Sequence, residues 1–165
     1  MTQFIVHPTQ MCQWHALIHE AQVATGLTLN ENTESYLVFL LMRYIHATHL
    51  MEAVLALDYL TALQSTRPKQ LTTLKDIGDK SLLFCGLFPG MAERRHLNLD
   101  YFSKLGQAAY LTVSELYPFK AGELYRQLSC HFLTLQQILT AIRDTSSAHQ
   151  TTPSPYVKLN HEVLQ

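Results

Sequence analysis

Apolar stripes at helical spacing alternate along the chain with short breaks of polar residues, proline or glycine, and that rhythm predicts helices throughout. The most informative stretch is residues 76–110, DIGDKSLLFCGLFPGMAERRHLNLDYFSKLGQAAY, where two helical patterns are broken by Pro89 and Gly90. Leu71, Leu74, Gly78, Leu82, Cys85 and Phe88 recur before the break, and Tyr101, Leu105, Ala108 and Thr112 after it. Both stripes carry small residues: Gly78, Ser81 and Gly86 in the first, Gly106, Ala108 and Ala109 in the second. An interior helical glycine costs roughly 1 kcal/mol against alanine, so three of them predict that a second backbone passes close by.

The same reasoning places helices at residues 10–25, 33–48, 50–64, 69–87, 99–116 and 120–143. Met11, Trp14, His15, Ile18, Ala21 and Gln22 form the first stripe, which ends at Gly26. The last is the cleanest, with Leu124, Leu128, His131, Phe132, Leu135, Ile138, Leu139 and Ile142. Pro68 predicts a turn over residues 65–68. Residues 89–98 form the longest polar interruption, with Asn98 or Asp100 available to cap the helix that follows. No window alternates with period two, so no strands are expected. After Asp144 the run TSSAHQTTPSP reads as a polar linker. The prediction is an all-α, single-domain bundle of about six helices over residues 1–144, with a flexible linker and C-terminal tail over 145–165.

Composition bounds the function classes. Charged residues are 15% of the 165, against a typical ~25%, and apolar residues 47%. So few charges leave apolar surface to be covered, and a homodimer is the first expectation. The formal net charge is −1 and no more than two Lys or Arg are adjacent, which excludes the clustered cations that nucleic-acid binding needs. Cys12, Cys85 and Cys130 are far apart and lack CxxC spacing, as expected of buried free thiols in a reducing compartment. The N-terminal MTQFIVHPTQ lacks the basic-then-apolar pattern of a secretory leader. Residues 36–42 and 82–88, the longest apolar runs, are far short of the ~20 residues that cross a bilayer. The expectation is a cytoplasmic protein with no membrane or nucleic-acid partner.

Histidine is the abundant reactive type, with nine copies. His15 and His19 are four apart, and His46 and His49 three apart with Glu52 following, spacings that share a helix face and can present metal ligands. Glu93 and His96 match the Glu-x-x-His of di-iron bundles, but that motif must occur twice, on helices, with two further glutamates. The competing reading leaves His15 and His19 partly exposed, His46 and His49 at a solvated helix end, and His131 as a core histidine satisfied by one hydrogen bond. Asp58 and Asp79 interrupt apolar runs. A buried carboxylate must be paired, and Lys80, Arg94 and Arg95 are the nearest partners in sequence for Asp79, as a polar link fixing the bend. No Gly-x-Ser-x-Gly elbow occurs, Cys85 sits in an apolar run that suppresses its thiolate, and the glycines of GLFPG do not form a phosphate cradle.

Residues 36–41 (YLVFLL), Gly78-Asp79, Leu83-Phe84, Gly86-Leu87-Phe88-Pro89, Arg94-Arg95, Tyr101-Phe102, Gly106 and Ala109-Tyr110 together resemble an uncharacterised family of small proteobacterial all-helical proteins. The resemblance covers about residues 36–110 and implies a bacterial cytosolic protein; it brings no activity, cofactor or site residue with it.

The functional expectation is therefore a non-catalytic interaction or regulatory protein acting as a homo-oligomer. Its candidate binding residues surround the bend: Asp79, Phe84, Phe88, Arg94, Arg95, Tyr101 and Tyr110. One alternative is a helical-bundle metal-binding protein or enzyme using His15, His19, His46, His49 and Glu52. The other is a small-ligand pocket lined by Phe84, Phe88, Tyr101 and Tyr110. The sequence names no cofactor.

Overall fold

The computed structural model describes residues 8–44 and 55–148, which form eight helices and, among the described residues, no strand. They are α1 (Pro8–Thr25), α2 (Glu31–Tyr44), α3 (Leu55–Leu63), α4 (Arg67–Leu87), α5 (Pro89–Arg94), α6 (Leu99–Leu116), α7 (Phe119–Cys130) and α8 (Phe132–Ala148). The chain is all-α. The expected tail over 145–165 lies outside the described residues beyond Ala148, and so do residues 45–54, which hold the predicted end of the second helix.

The centre of the bundle is α4, which packs against α3, α6 and α8, while α1 lies on α2 and α8 and α7 bridges α2 and α6. The position of α4 follows from its composition. Leu74, Ile77, Leu82, Leu83, Phe84 and Cys85 are buried around most of its circumference, so no single polar face is left to meet water. Pro68 does not end a turn as expected; it stands in the first turn of α4, after Thr66, where the missing amide costs no hydrogen bond.

The small residues do bring α4 and α6 together, but the space they leave is filled by large side chains and not by bare backbone. A methyl group at Gly78 would stand 2.5 Å from the ring of Tyr110, and one at Gly106 2.5 Å from the ring of Phe132 and 2.9 Å from Ser81. Tyr110 and Phe132 are both completely buried, so neither ring can swing aside.

Asn98 caps α6, its side chain accepting from the amides of Asp100 at 2.9 Å and Tyr101 at 3.4 Å. The predicted loop at residues 89–98 contains α5, which closes the bend by burying Ala92 against Phe84 and Cys85. The predicted helix 120–143 is two helices. The break between them falls at His131, which is turned out of the stripe and exposed, so it is not a core histidine. The last helix runs past Asp144 to Ala148. Its polar end is accommodated because Thr145, Ser146 and Ser147 each donate to the carbonyl four residues back. Of the cysteines only Cys85 is buried; Cys12 and Cys130 are exposed.

Gly106→Ala tests the packing directly. Alanine is the better helix former by about 1 kcal/mol, yet the added methyl must displace Phe132, and overpacking of this kind costs about 1–3 kcal/mol. Chemical denaturation is expected to show a net loss of stability, and an unchanged or raised midpoint would contradict the close approach.

Candidate functional site

The irregular residue of α4, Asp79, has no exposure at all. Desolvating a lone carboxylate costs several kcal/mol, so donors must surround it. They come from two other helices. Tyr36 of α2 and Tyr110 of α6 donate their hydroxyls to Oδ1 at 2.6 and 2.7 Å, and Arg43 of α2 donates to Oδ2 through Nη2. The seven-residue step from Tyr36 to Arg43 is two helical turns, which puts phenol and guanidinium on one face of α2. Gly78 leaves the room that Tyr110 needs to reach the carboxylate from α6.

A ring of aromatic and charged groups encloses this pair. Tyr36 meets Tyr110 and Tyr125 edge-on, with centroids 6.3 and 5.8 Å apart. The Arg43 guanidinium lies 4.8 Å over the ring of Tyr44, and the Tyr44 hydroxyl is 3.4 Å from Asp76 Oδ1. The Lys75 ammonium stands 5.6 Å over the ring of Tyr125.

Burial pushes the Asp79 carboxyl above its ordinary range, and the bonds from Tyr36 and Tyr110 and the charge of Arg43 pull it only part of the way back. The Tyr36 and Tyr110 phenols are held above their ordinary value, first by burial and then by the charge of Asp79. Tyr44 is pushed up to about 12 by burial and then by Asp79 and Asp76. Burial works against the Arg43 charge, but Asp79, Tyr44, Tyr36 and Asp76 together more than offset it and hold the guanidinium above its ordinary value. Every hydrogen-bonding atom of the Asp79 carboxylate is thus engaged by protein groups. The arrangement is a polar rivet joining α2, α4 and α6.

Tyr36 also faces outward. Its ring lines a groove of about 430 Å³ between α2 and α7, together with Asn32, Ser35, Phe39, Lys120, Ala121 and Leu124. Phe39 is 55% exposed, and Phe119, directly before Lys120, is 93% exposed. Asn30 holds the two helices at this end by donating to Gln127 at 2.9 Å.

The predicted binding residues fall into separate places. Asp79 and Tyr110 do meet. Arg94 and Arg95 are exposed on and after α5, where Arg94 donates to the Gly90 carbonyl, so the partner of Asp79 is Arg43 and not a neighbour in sequence. Phe84 and Phe88 belong to the small cluster under the bend, Phe84 against Phe102 at 5.2 Å, and Tyr101 is half-exposed beside Phe102. These aromatics and Tyr110 therefore do not surround one cavity. Among the predicted metal ligands, His15 lies 3.2 Å from Glu34, which also accepts from Gln22, and His19 is exposed. His46, His49 and Glu52 lie outside the described residues. Among the described residues no three His, Cys, Asp or Glu side chains gather in a way that could hold a metal ion. Cys85 donates to the Leu99 carbonyl, and burial pushes its thiol up to about 11. No helix among the described residues is long and apolar enough to cross a membrane.

No protein-family model, curated protein or solved structure matches this chain.

The rivet has a pH signature. A carboxyl whose folded value exceeds its unfolded value, ordinarily 3.8, holds its proton more tightly in the folded chain. Its contribution to stability is complete below the unfolded value and is lost as pH rises through the folded one. Asp79→Asn removes that titration, so the stability difference between wild type and variant moves in favour of wild type as pH falls from about 7 to about 4. Thermal melts across that range check it. Arg43→Ala removes a half-exposed cation from a buried anion, a loss between those of surface and buried pairs, about 2 kcal/mol. Urea denaturation near neutral pH measures it.

Proposed function

We propose that this chain is a non-catalytic interaction or regulatory protein that works as a homo-oligomer, in its simplest form a homodimer, in a bacterial cytosol. The observation that carries this reading is the groove between α2 and α7, with Phe39 in its wall and Phe119 at its edge both turned to water. Monomeric surfaces scatter single apolar residues, but aromatic side chains gathered along a groove suit a protein contact.

The interior supports the same reading. Both oxygens of the buried Asp79 carboxyl are bonded to side chains of the bundle, and Cys85 is buried as a neutral thiol bonded to a carbonyl. Both side chains are engaged in holding the bundle together. With 15% charged residues and a net charge of −1, two copies repel one another little.

Light scattering or sedimentation of the untagged full chain at micromolar concentration is expected to give twice the mass of the chain. Because the contact is apolar, the dimer persists when the Debye length is reduced to about 3 Å in about 1 M salt. A strict monomer in both conditions contradicts the reading.

A further inference from the structure

Phe119 is anomalous twice over. Its φ is +60°, in the left-handed region where a bulky side chain is strained and glycine or asparagine is at ease. It is also 93% exposed, so none of the described residues covers it. The backbone strain has a local cause. The link from α6 to α7 is only Tyr117 and Pro118, and α7 starts so close to α6 that a methyl at Gly122 would stand 2.7 Å from the carbonyl oxygens of Ser114 and Tyr117. That reversal explains the left-handed residue. It does not explain why the residue is phenylalanine.

Beside this knob lies the groove, walled by Tyr36, Phe39 and Leu124. A knob and a hole adjacent on one face are the requirement of an isologous contact, in which each copy gives the other what it receives. Charge is compatible: Lys120 stands in the wall, and Glu31 and Glu123 are exposed on the same two helices, so the patch carries both signs and can be complementary to a second copy of itself.

We propose that the groove is occupied by a second copy of this chain, docked about a two-fold axis with Phe119 of each copy seated between α2 and α7 of the other. The proposal rests on the homodimer reading above and names its surface. Tyr36 gives the arrangement a rigid floor, because its hydroxyl is fixed to Asp79 while its ring faces the incoming phenylalanine.

The test is sedimentation velocity of the full chain with four variants. Phe119→Gly removes the knob and relieves the left-handed backbone, so its fold is kept and its helical circular dichroism is unchanged. Its dimer dissociation constant is expected to rise about tenfold or more. Phe119→Asn, also at ease at this φ, behaves alike. Phe39→Ser impairs the groove and weakens the dimer by a similar factor, whereas Leu133→Ser, an exposed position on α8, leaves it unchanged. Mixing Phe119→Gly with Phe39→Ser restores one of the two contacts, so the mixture associates more tightly than either variant alone. If the wild type dimerises and Phe119→Gly dimerises equally well, this surface is wrong and the homodimer reading stands. If the wild type is monomeric throughout, both fall.

Discussion

One carboxylate with no access to water, Asp79, sets the terms for the rest of the molecule. A helical bundle can place leucines and valines in many registers at nearly equal cost, but a buried anion accepts only a register that brings it donors. Here that register requires α2 to present Tyr36 and Arg43 two turns apart, and α6 to present Tyr110 across from Gly78. The glycine and the acid are consecutive residues of α4. One makes the space and the other fixes what fills it.

The same interaction links interior to surface. Tyr36 is half of the rivet by its hydroxyl and part of the groove by its ring, so the wall between α2 and α7 inherits the rigidity of the core. Arg43 is the only donor of the three with much of its side chain in water, 53% exposed, and it closes the carboxylate off from solvent. An interior arranged this way supplies position, not reactivity. That is why the functional reading moves outward, to a groove and an exposed ring that none of the described residues covers.

Local signals in the sequence were sufficient wherever the structure is locally determined. The helix at residues 99–116 is found at its predicted bounds, because Asn98 caps one end and Tyr117-Pro118 stops the other. Of the small residues, Gly78 and the Ser81–Gly106 pair mark where α4 and α6 meet, whereas Gly86 makes room for Leu139 of α8. Asp79 was visible as an irregularity, but its partner was not. Arg94 and Arg95 are nearer in sequence, whereas Arg43 lies 36 residues earlier, and nothing in a single chain reports a pairing over that distance. Tyr110 stands out in sequence only as a candidate for ligand binding, and Tyr36 not at all, because helical spacing says which face a phenol is on and not what its hydroxyl meets. His131 was misplaced because a break of one residue between α7 and α8 leaves apolar periodicity almost intact on either side. Phe119 does not stand out in sequence; its unusual backbone comes from the tight reversal between Pro118 and Gly122, which only the structure shows.

The junction of α2, α4 and α6 depends on the environment of Asp79. The most direct measurement is a carbon-13 NMR titration of its side-chain carboxyl in the intact chain. A carboxyl enclosed by two phenols and a half-exposed guanidinium, but dominated by its burial, is expected to titrate above the ordinary 3.8. A value at or below 3.8, with the resonance responding to solvent as an exposed aspartate does, would mean that Asp79 faces water and that the three helices are held together by something else.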